Sequence, residues 1–267
     1  MIREPIAKGQ FYPSDPESLD SLIEELRPKE KGKIDSPGII LPHAGYIFSG
    51  KVALTTINQI LPKKTVVLLG TNHRGRGENF SIWPKGAWII PYGKIEVNEN
   101  LSSRILDNGN VIKEDYSSHM YEHSLEVELP LLRYCLGNFQ IVPICCSLSS
   151  LTDYREAALQ ITRSLKDEAG NVLFVASTDL SHYESEGVAR RKDRSAINSI
   201  IEMDEEKLIR IVKDSNISMC GLAPVSVFLL CMKNLGFNKA RVSLYQTSGE
   251  ATGDYEAVVG YVGIVVN

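Results

Sequence analysis

Five histidines and five cysteines hold most of the metal-ligating and nucleophilic capacity of this chain. His43 stands in Pro42-His43-Ala44-Gly45-Tyr46, and His73 closes Gly70-Thr71-Asn72-His73. Each trails an apolar run and has Gly or Asn nearby, which lets the backbone come close to a ligand. Neutral imidazole is the commonest protein ligand for a transition metal, so two imidazoles from neighbouring strand ends supply half a site. The same residues suit a second role, as loop groups that hydrogen-bond at a strand end. Asp179 lies three residues before His182 in Ser177-Thr178-Asp179-Leu180-Ser181-His182. An acid so placed can orient a ring and support general acid–base work, while Asp179 or Ser181 equally suits a helix N-cap.

His119 and His123 have i, i+4 spacing, with Glu122, Glu126 and Glu128 close by. Ser117-Ser118 puts His119 ahead of the helix. His123, paired with Glu126, is expected to open the helix and point into a site, whereas His119 and Glu128 are expected on a solvated face. Cys220, in Ser218-Met219-Cys220-Gly221-Leu222-Ala223-Pro224, falls at a helix start. A helix N-terminus favours the thiolate, the form that ligates or attacks; a small buried hydrophobe is the alternative. Cys135, Cys145, Cys146 and Cys231 read as packing residues. With no CxxC pair, a disulfide framework or cysteine-based structural zinc site is not expected. Walker A, GxGxxG and GxSxG patterns are absent from the sequence, which removes support for common nucleotide sites and α/β-hydrolase chemistry.

These candidates need strands that end together. Pro37 to Pro42 is a short apolar run bounded by turn residues, and Thr65 to Gly70 does not alternate with polar residues, as expected when both faces of a sheet are covered. Further strands are predicted over 139–144, 171–177, 241–247 and 257–266. Ser14-Asp15-Pro16-Glu17 reads as a capping box that opens a helix. Other helices are predicted over 48–60, 98–106, 123–136 despite Pro130, 153–166, 186–200, 204–212 and 221–234. The stretch 79–97 reads as loop plus a hairpin or irregular strands. Alternation of strands and helices predicts one α/β domain over residues 1–267, with a central, mixed but largely parallel twisted sheet and helices on both faces. Ligands in such sheets bind beyond the carboxyl ends of the strands.

The 267 residues carry 29 Lys+Arg against 33 Asp+Glu, a net charge of -4 that argues against a general nucleic-acid binder. No apolar run reaches the length that spans a bilayer, and Met1-Ile2-Arg3-Glu4-Pro5 lacks a signal-peptide core. A cytoplasmic protein without a membrane partner is expected.

Seven segments in order resemble the Memo family: Gly9-Gln10-Phe11-Tyr12-Pro13, Pro42-His43-Ala44-Gly45-Tyr46, Asn72-His73, Glu122-His123-Ser124-Leu125-Glu126, Ser177 to His182, Cys220-Gly221 and Ser248-Gly249-Glu250-Ala251-Thr252-Gly253-Asp254. The resemblance implies a fold similar to class III extradiol dioxygenases. It implies a metal position formed by His43, His73 and Cys220, with Asp179, His182 and His123 as catalytic or cleft-lining residues. Fe(II) is the implied metal, with copper or zinc as alternatives. It also implies a pathway link to AMMECR1-like and radical-SAM proteins, and an unidentified small-molecule or peptide ligand; animal relatives have been tied to phosphotyrosine peptides. A thiolate replaces the carboxylate of the dioxygenase triad, which makes sulfur a target when O2 binds. Three functions compete. One is an iron-dependent oxidoreductase of dioxygenase-like kind. The second is a non-catalytic peptide- or protein-binding module in an inherited cleft. The third is a zinc hydrolase in which Asp179 or Glu126 activates water.

Overall fold

The computed structural model describes residues 1–28 and 32–267. In chain order it contains β1 (Ile2–Arg3), α1 (Pro16–Leu26), β2 (Gly38–Leu41), α2 (Tyr46–Ile57), β3 (Thr65–Thr71), β4 (Phe80–Ile82), β5 (Ala87–Ile90) and β6 (Gly93–Glu96). Next come α3 (Glu99–Asp107), β7 (Lys113–Glu114), α4 (Glu128–Leu136), β8 (Gln140–Cys146), α5 (Leu151–Ser164), β9 (Val172–Ser177) and β10 (His182–Glu184). The chain ends with α6 (Glu186–Ile201), α7 (Glu205–Asp214), α8 (Leu222–Asn234), β11 (Ala240–Thr247), α9 (Gly249–Thr252) and β12 (Val258–Val266).

Among the described residues, nine strands form one sheet in the order β10-β12-β2-β9-β3-β8-β4-β7, with β11 on β12. The centre, β2-β9-β3-β8, is parallel. Strands β12 and β4 flank it antiparallel, so the sheet is mixed and largely parallel, as expected. Side chains alternate between the faces with the strand period of two. Val67 and Leu69 of β3, with Phe174 and Ala176 of β9, enter one core with α3, α5, α6, α7 and α8. Val66 and Leu68, with Leu173 and Val175, enter the other core with α1, α2, α4 and the small sheet β1-β5-β6. Both faces are buried, which is why these strands read as unbroken apolar runs.

Register decides where the site falls. Leu41 pairs with Ser177, Leu69 with Ala176, and Gly70 with Cys145, so β2, β9, β3 and β8 finish on one edge. The residues that follow, 42–45, 72–73 and 178–181, therefore emerge side by side.

Two local expectations change. Asp15, not Ser14, caps α1: its side chain accepts the Ser18 N–H, and Pro16 takes the first turn, where a missing N–H costs nothing. Helix α4 begins at Glu128 rather than His123. Pro130 lies in its first turn, the one place a helix tolerates proline, and residues before it form turns. The stretch 79–97 is β4 followed by the β5-β6 hairpin, in line with the expected loop plus hairpin. No helix among the described residues is long and apolar enough to cross a membrane.

Candidate metal centre

Three imidazoles meet at the shared strand edge. One ligand atom each of His43, His73 and His123 lies within 4.8 Å of the other two. His73 and His123 stack with centroids 4.8 Å apart, and His43 stands edge-on to both at 5.2 and 5.4 Å. Two glycines permit this convergence. A Cβ on Gly70 would lie 2.5 Å from Leu125 and 2.7 Å from Ser124 Oγ, so glycine lets the 122–125 turn press onto the end of β3. A Cβ on Gly221 would lie 2.2 Å from Thr178 and 2.7 Å from the Ser177 carbonyl, so glycine lets the Cys220 turn press onto the end of β9.

Two of the three imidazoles are held from behind. His43 Nδ1 is 2.7 Å from Ser177 Oγ, and its backbone N–H donates to Asp179 Oδ1 at 2.9 Å. His73 Nδ1 lies 2.9 Å from Glu122 Oε1, while its backbone N–H donates to Glu122 Oε2 at 2.7 Å. Such partners fix the ring and leave the other nitrogen for a ligand. Burial raises the pKa of Glu122, but the His73 bond and charge, with His123 and the Ser124 N–H, outweigh it and hold the group at about 2. Burial, with His73 adding repulsion, pushes His43 down to about 3. Burial and His43 push His123 down to about 4. Both rings are neutral near pH 7 and keep a lone pair.

Cys220 joins through His43: its Sγ is 3.3 Å from His43 Nε2 and accepts the Asp179 N–H at 3.2 Å. Burial and the nearby Asp179 carboxyl push the thiol well above its ordinary value, although bonds from the Asp179 N–H and Thr178 oppose them. Asp179 is only 5% exposed, and burial raises its pKa although His182 opposes this. The expected Asp179–His182 couple takes another form. His182 Nδ1 faces two carbonyls, of Leu180 at 2.7 Å and Ser218 at 2.9 Å. Carbonyls only accept, so Nδ1 carries a proton, and in the neutral ring Nε2 is then the acceptor.

The cavity over these groups holds about 460 Å³. His43, His73, His123, Asp179 and His182 line it, with Phe11, Phe48, Tyr183 and Tyr261 around them. Tyr183 is 81% exposed and has a positive φ of 58°, a strained backbone state for an aromatic residue. Cys220 instead lines a second cavity of about 370 Å³, with Asn72 and Cys146.

Two of the expected carboxylate roles fail. Glu126 does not pair with His123. It accepts from Arg3 Nη1 (2.7 Å), Tyr12 Oη (2.7 Å), and the Ile6 and Ala7 N–H groups (2.9 and 2.8 Å), which spends both oxygens on the N-terminal segment. Glu122 is the acid behind the histidines instead. His119 and Glu128 are fully buried rather than solvated. The hidden signal for Glu128 is its place inside Leu125-Glu126-Val127-Glu128-Leu129-Pro130-Leu131-Leu132, where apolar neighbours leave no wet face.

The family model for Memo-like proteins matches residues 3–265. The chain belongs to the Memo family. Members similar to it over full length include the MEMO1 family proteins of Methanopyrus kandleri (38% identical, 99% of each chain) and Thermotoga neapolitana (38%, 100% of each). The MEMO1 family protein of Aquifex aeolicus is 40% identical over 99% of this chain and 98% of its own. Among solved structures, an uncharacterized protein from Escherichia coli K12 shares the fold with a TM-score of 0.58 at 11% identity, over 86% of this chain and 99% of that one.

Proposed function

We propose that this Memo-family protein binds a transition-metal ion, Fe(II) first, and uses it in redox chemistry on a small molecule seated in the cavity. The observation that carries the reading is the close approach of the His43, His73 and His123 ligand atoms. The donor set fits such an ion: neutral imidazoles suit iron, copper and zinc, and two of the rings have acceptors or hydroxyls behind them. His43 and His73 are the common pair. His123 adds a third donor without losing a proton, and Cys220 adds sulfur once its proton leaves on metal binding. When bound, the ion supplies redox chemistry and Lewis acidity that these side chains lack.

The residues around it have separate tasks. His182, with Nδ1 held by two carbonyls, offers Nε2 to take a proton from a bound hydroxyl or amine. Asp179 fixes the His43 backbone, and Phe11 and Phe48 give the cavity an apolar wall. The hydrolase reading loses one of its two bases, because Glu126 is bound into the Arg3 cluster.

Anaerobic Fe(II) titration of wild type, His43→Ala, His123→Ala and Cys220→Ser tests the assignment. One ion per chain in wild type and none in His43→Ala is expected. Equal uptake by both defeats it. A peptide partner retained by a His43→Ala, Cys220→Ser double variant and unaffected by chelator would favour the binding-module reading.

A further inference from the structure

Behind His43 is a buried hydroxyl with more neighbours than protons. Ser177 Oγ lies 2.7 Å from His43 Nδ1, 2.9 Å from the Ser124 carbonyl oxygen and 2.7 Å from Glu128 Oε1. A serine hydroxyl donates once and accepts through two lone pairs, and a carbonyl only accepts. With each proton serving a single acceptor, all three contacts are hydrogen bonds in one arrangement alone. Ser177 gives its proton to Ser124, and both His43 Nδ1 and Glu128 Oε1 donate to Ser177. A carboxylate has nothing to donate; a carboxylic acid does.

The surroundings of Glu128 agree. The residue is fully buried, and among the described residues its Oε2 has no hydrogen-bond partner. A bare oxygen is tolerable on a neutral carbonyl and costly on an anion. Burial and the Asp179 carboxyl push Glu128 well above the usual carboxylate range, even against the support a Ser177 donor would give the ionised form.

We infer that Glu128 is a neutral acid that donates to Ser177, and through it holds His43 in the Nδ1–H tautomer with the Nε2 lone pair free. Glu128 is thus a positioning residue that does not line the cavity. Its consequence for metal affinity rests on the metal-binding reading above; the hydrogen-bond chain itself does not.

Infrared difference spectra of metal-free wild type and Glu128→Gln near neutral pH test the chain directly. A protonated-carboxyl C=O band that vanishes in Glu128→Gln is expected. Loss of a carboxylate band instead overturns the inference. Nitrogen-15 spectra of the histidines should show His43 as one Nδ1–H tautomer in wild type and in Glu128→Gln, whose amide also donates, and as a mixture in Glu128→Leu. For Fe(II), Glu128→Gln should stay within about threefold of wild type, while Glu128→Leu should lose about ten- to hundredfold, the usual cost of a lost second-layer partner. Wild-type affinity in Glu128→Leu overturns the positioning role. Should Glu128→Leu fail to fold, Ser177→Ala carries the same expectation. If wild type takes up no Fe(II) while the infrared band and tautomer hold, the metal reading falls and the neutral acid stands.

Discussion

His43 Nε2 stands 3.3 Å from Cys220 Sγ, and His119 Nδ1 stands 3.5 Å from Cys145 Sγ. Both imidazoles are buried and held at about 3 mainly by that burial. By residue type and distance they are near twins. In both, the second nitrogen is tied to a protein oxygen, that of His43 to Ser177 Oγ at 2.7 Å, and the difference lies in what surrounds each ring. The far nitrogen of His119 is 3.2 Å from the Ser81 carbonyl, and its ring packs edge-on to Trp83 and Trp88 beside Arg3. Arg3 is itself spent on the His119 and Glu122 carbonyls and on Glu126. In that cluster hydrogen bonds run between protein groups, and none of its members lines the cavity over the histidines. His43 faces two more imidazoles and borders that cavity. A histidine–cysteine pair marks a site only where a lone pair is left over and a ligand can reach it.

The largest expected effect separates the pairs outright. His43→Ala should lower Fe(II) affinity by at least about a thousandfold, beyond the ten- to hundredfold cost of a second-layer loss. His119→Ala should keep one ion per chain and lose about 3–5 kcal/mol of stability, as for other buried rings. Titration and urea melts read both, and loss of iron in His119→Ala would break the contrast. Next, Glu126→Gln splits a buried ion pair with Arg3 and should cost about 3–5 kcal/mol while Fe(II) affinity moves less than about threefold.

The third effect is shared, and so sharpens the comparison by removing pH as a criterion. Both histidines titrate far below the unfolded value of about 6.5. The unfolded chain therefore binds protons first as pH falls, and stability present above about 6.5 is lost on acidification. From pH 7 to 5 each ring should account for up to about 2 kcal/mol of that loss. His43→Phe and His119→Phe should flatten the urea-derived slope alike; a change in only one would show that the other ring is protonated already. The smallest effect concerns the thiols. Cys145 is fully buried and Cys220 partly exposed, so a small thiol reagent should modify Cys220 at least about tenfold faster. Fe(II) should slow that reaction and leave Cys145 unchanged.

Much of this was legible from sequence. The runs at 38–41, 65–71 and 172–177 carry aliphatic residues on both sheet faces, so strands and their shared edge could be read, and with them His43, His73 and Asp179. The partners were not. Arg3 meets Glu126 across 123 residues, and Ser177 meets Glu128 across 49. Such pairings leave no local period or spacing. Helical spacing also misled: it joined His123 to Glu126, whereas the turn before α4 sends one to the histidine cluster and the other to the N-terminal segment.

The shared strand edge has a consequence for how the chain folds. His43, His73, His123 and Cys220 come from four distant stretches, the first and last 177 positions apart. No fragment can bring them together before β2, β9 and β3 have found their register. Loop closure over such separations is slow to nucleate, so the centre is completed late. A metal captured there would act on the finished fold alone, and would prolong the lifetime of the native state without hastening its arrival.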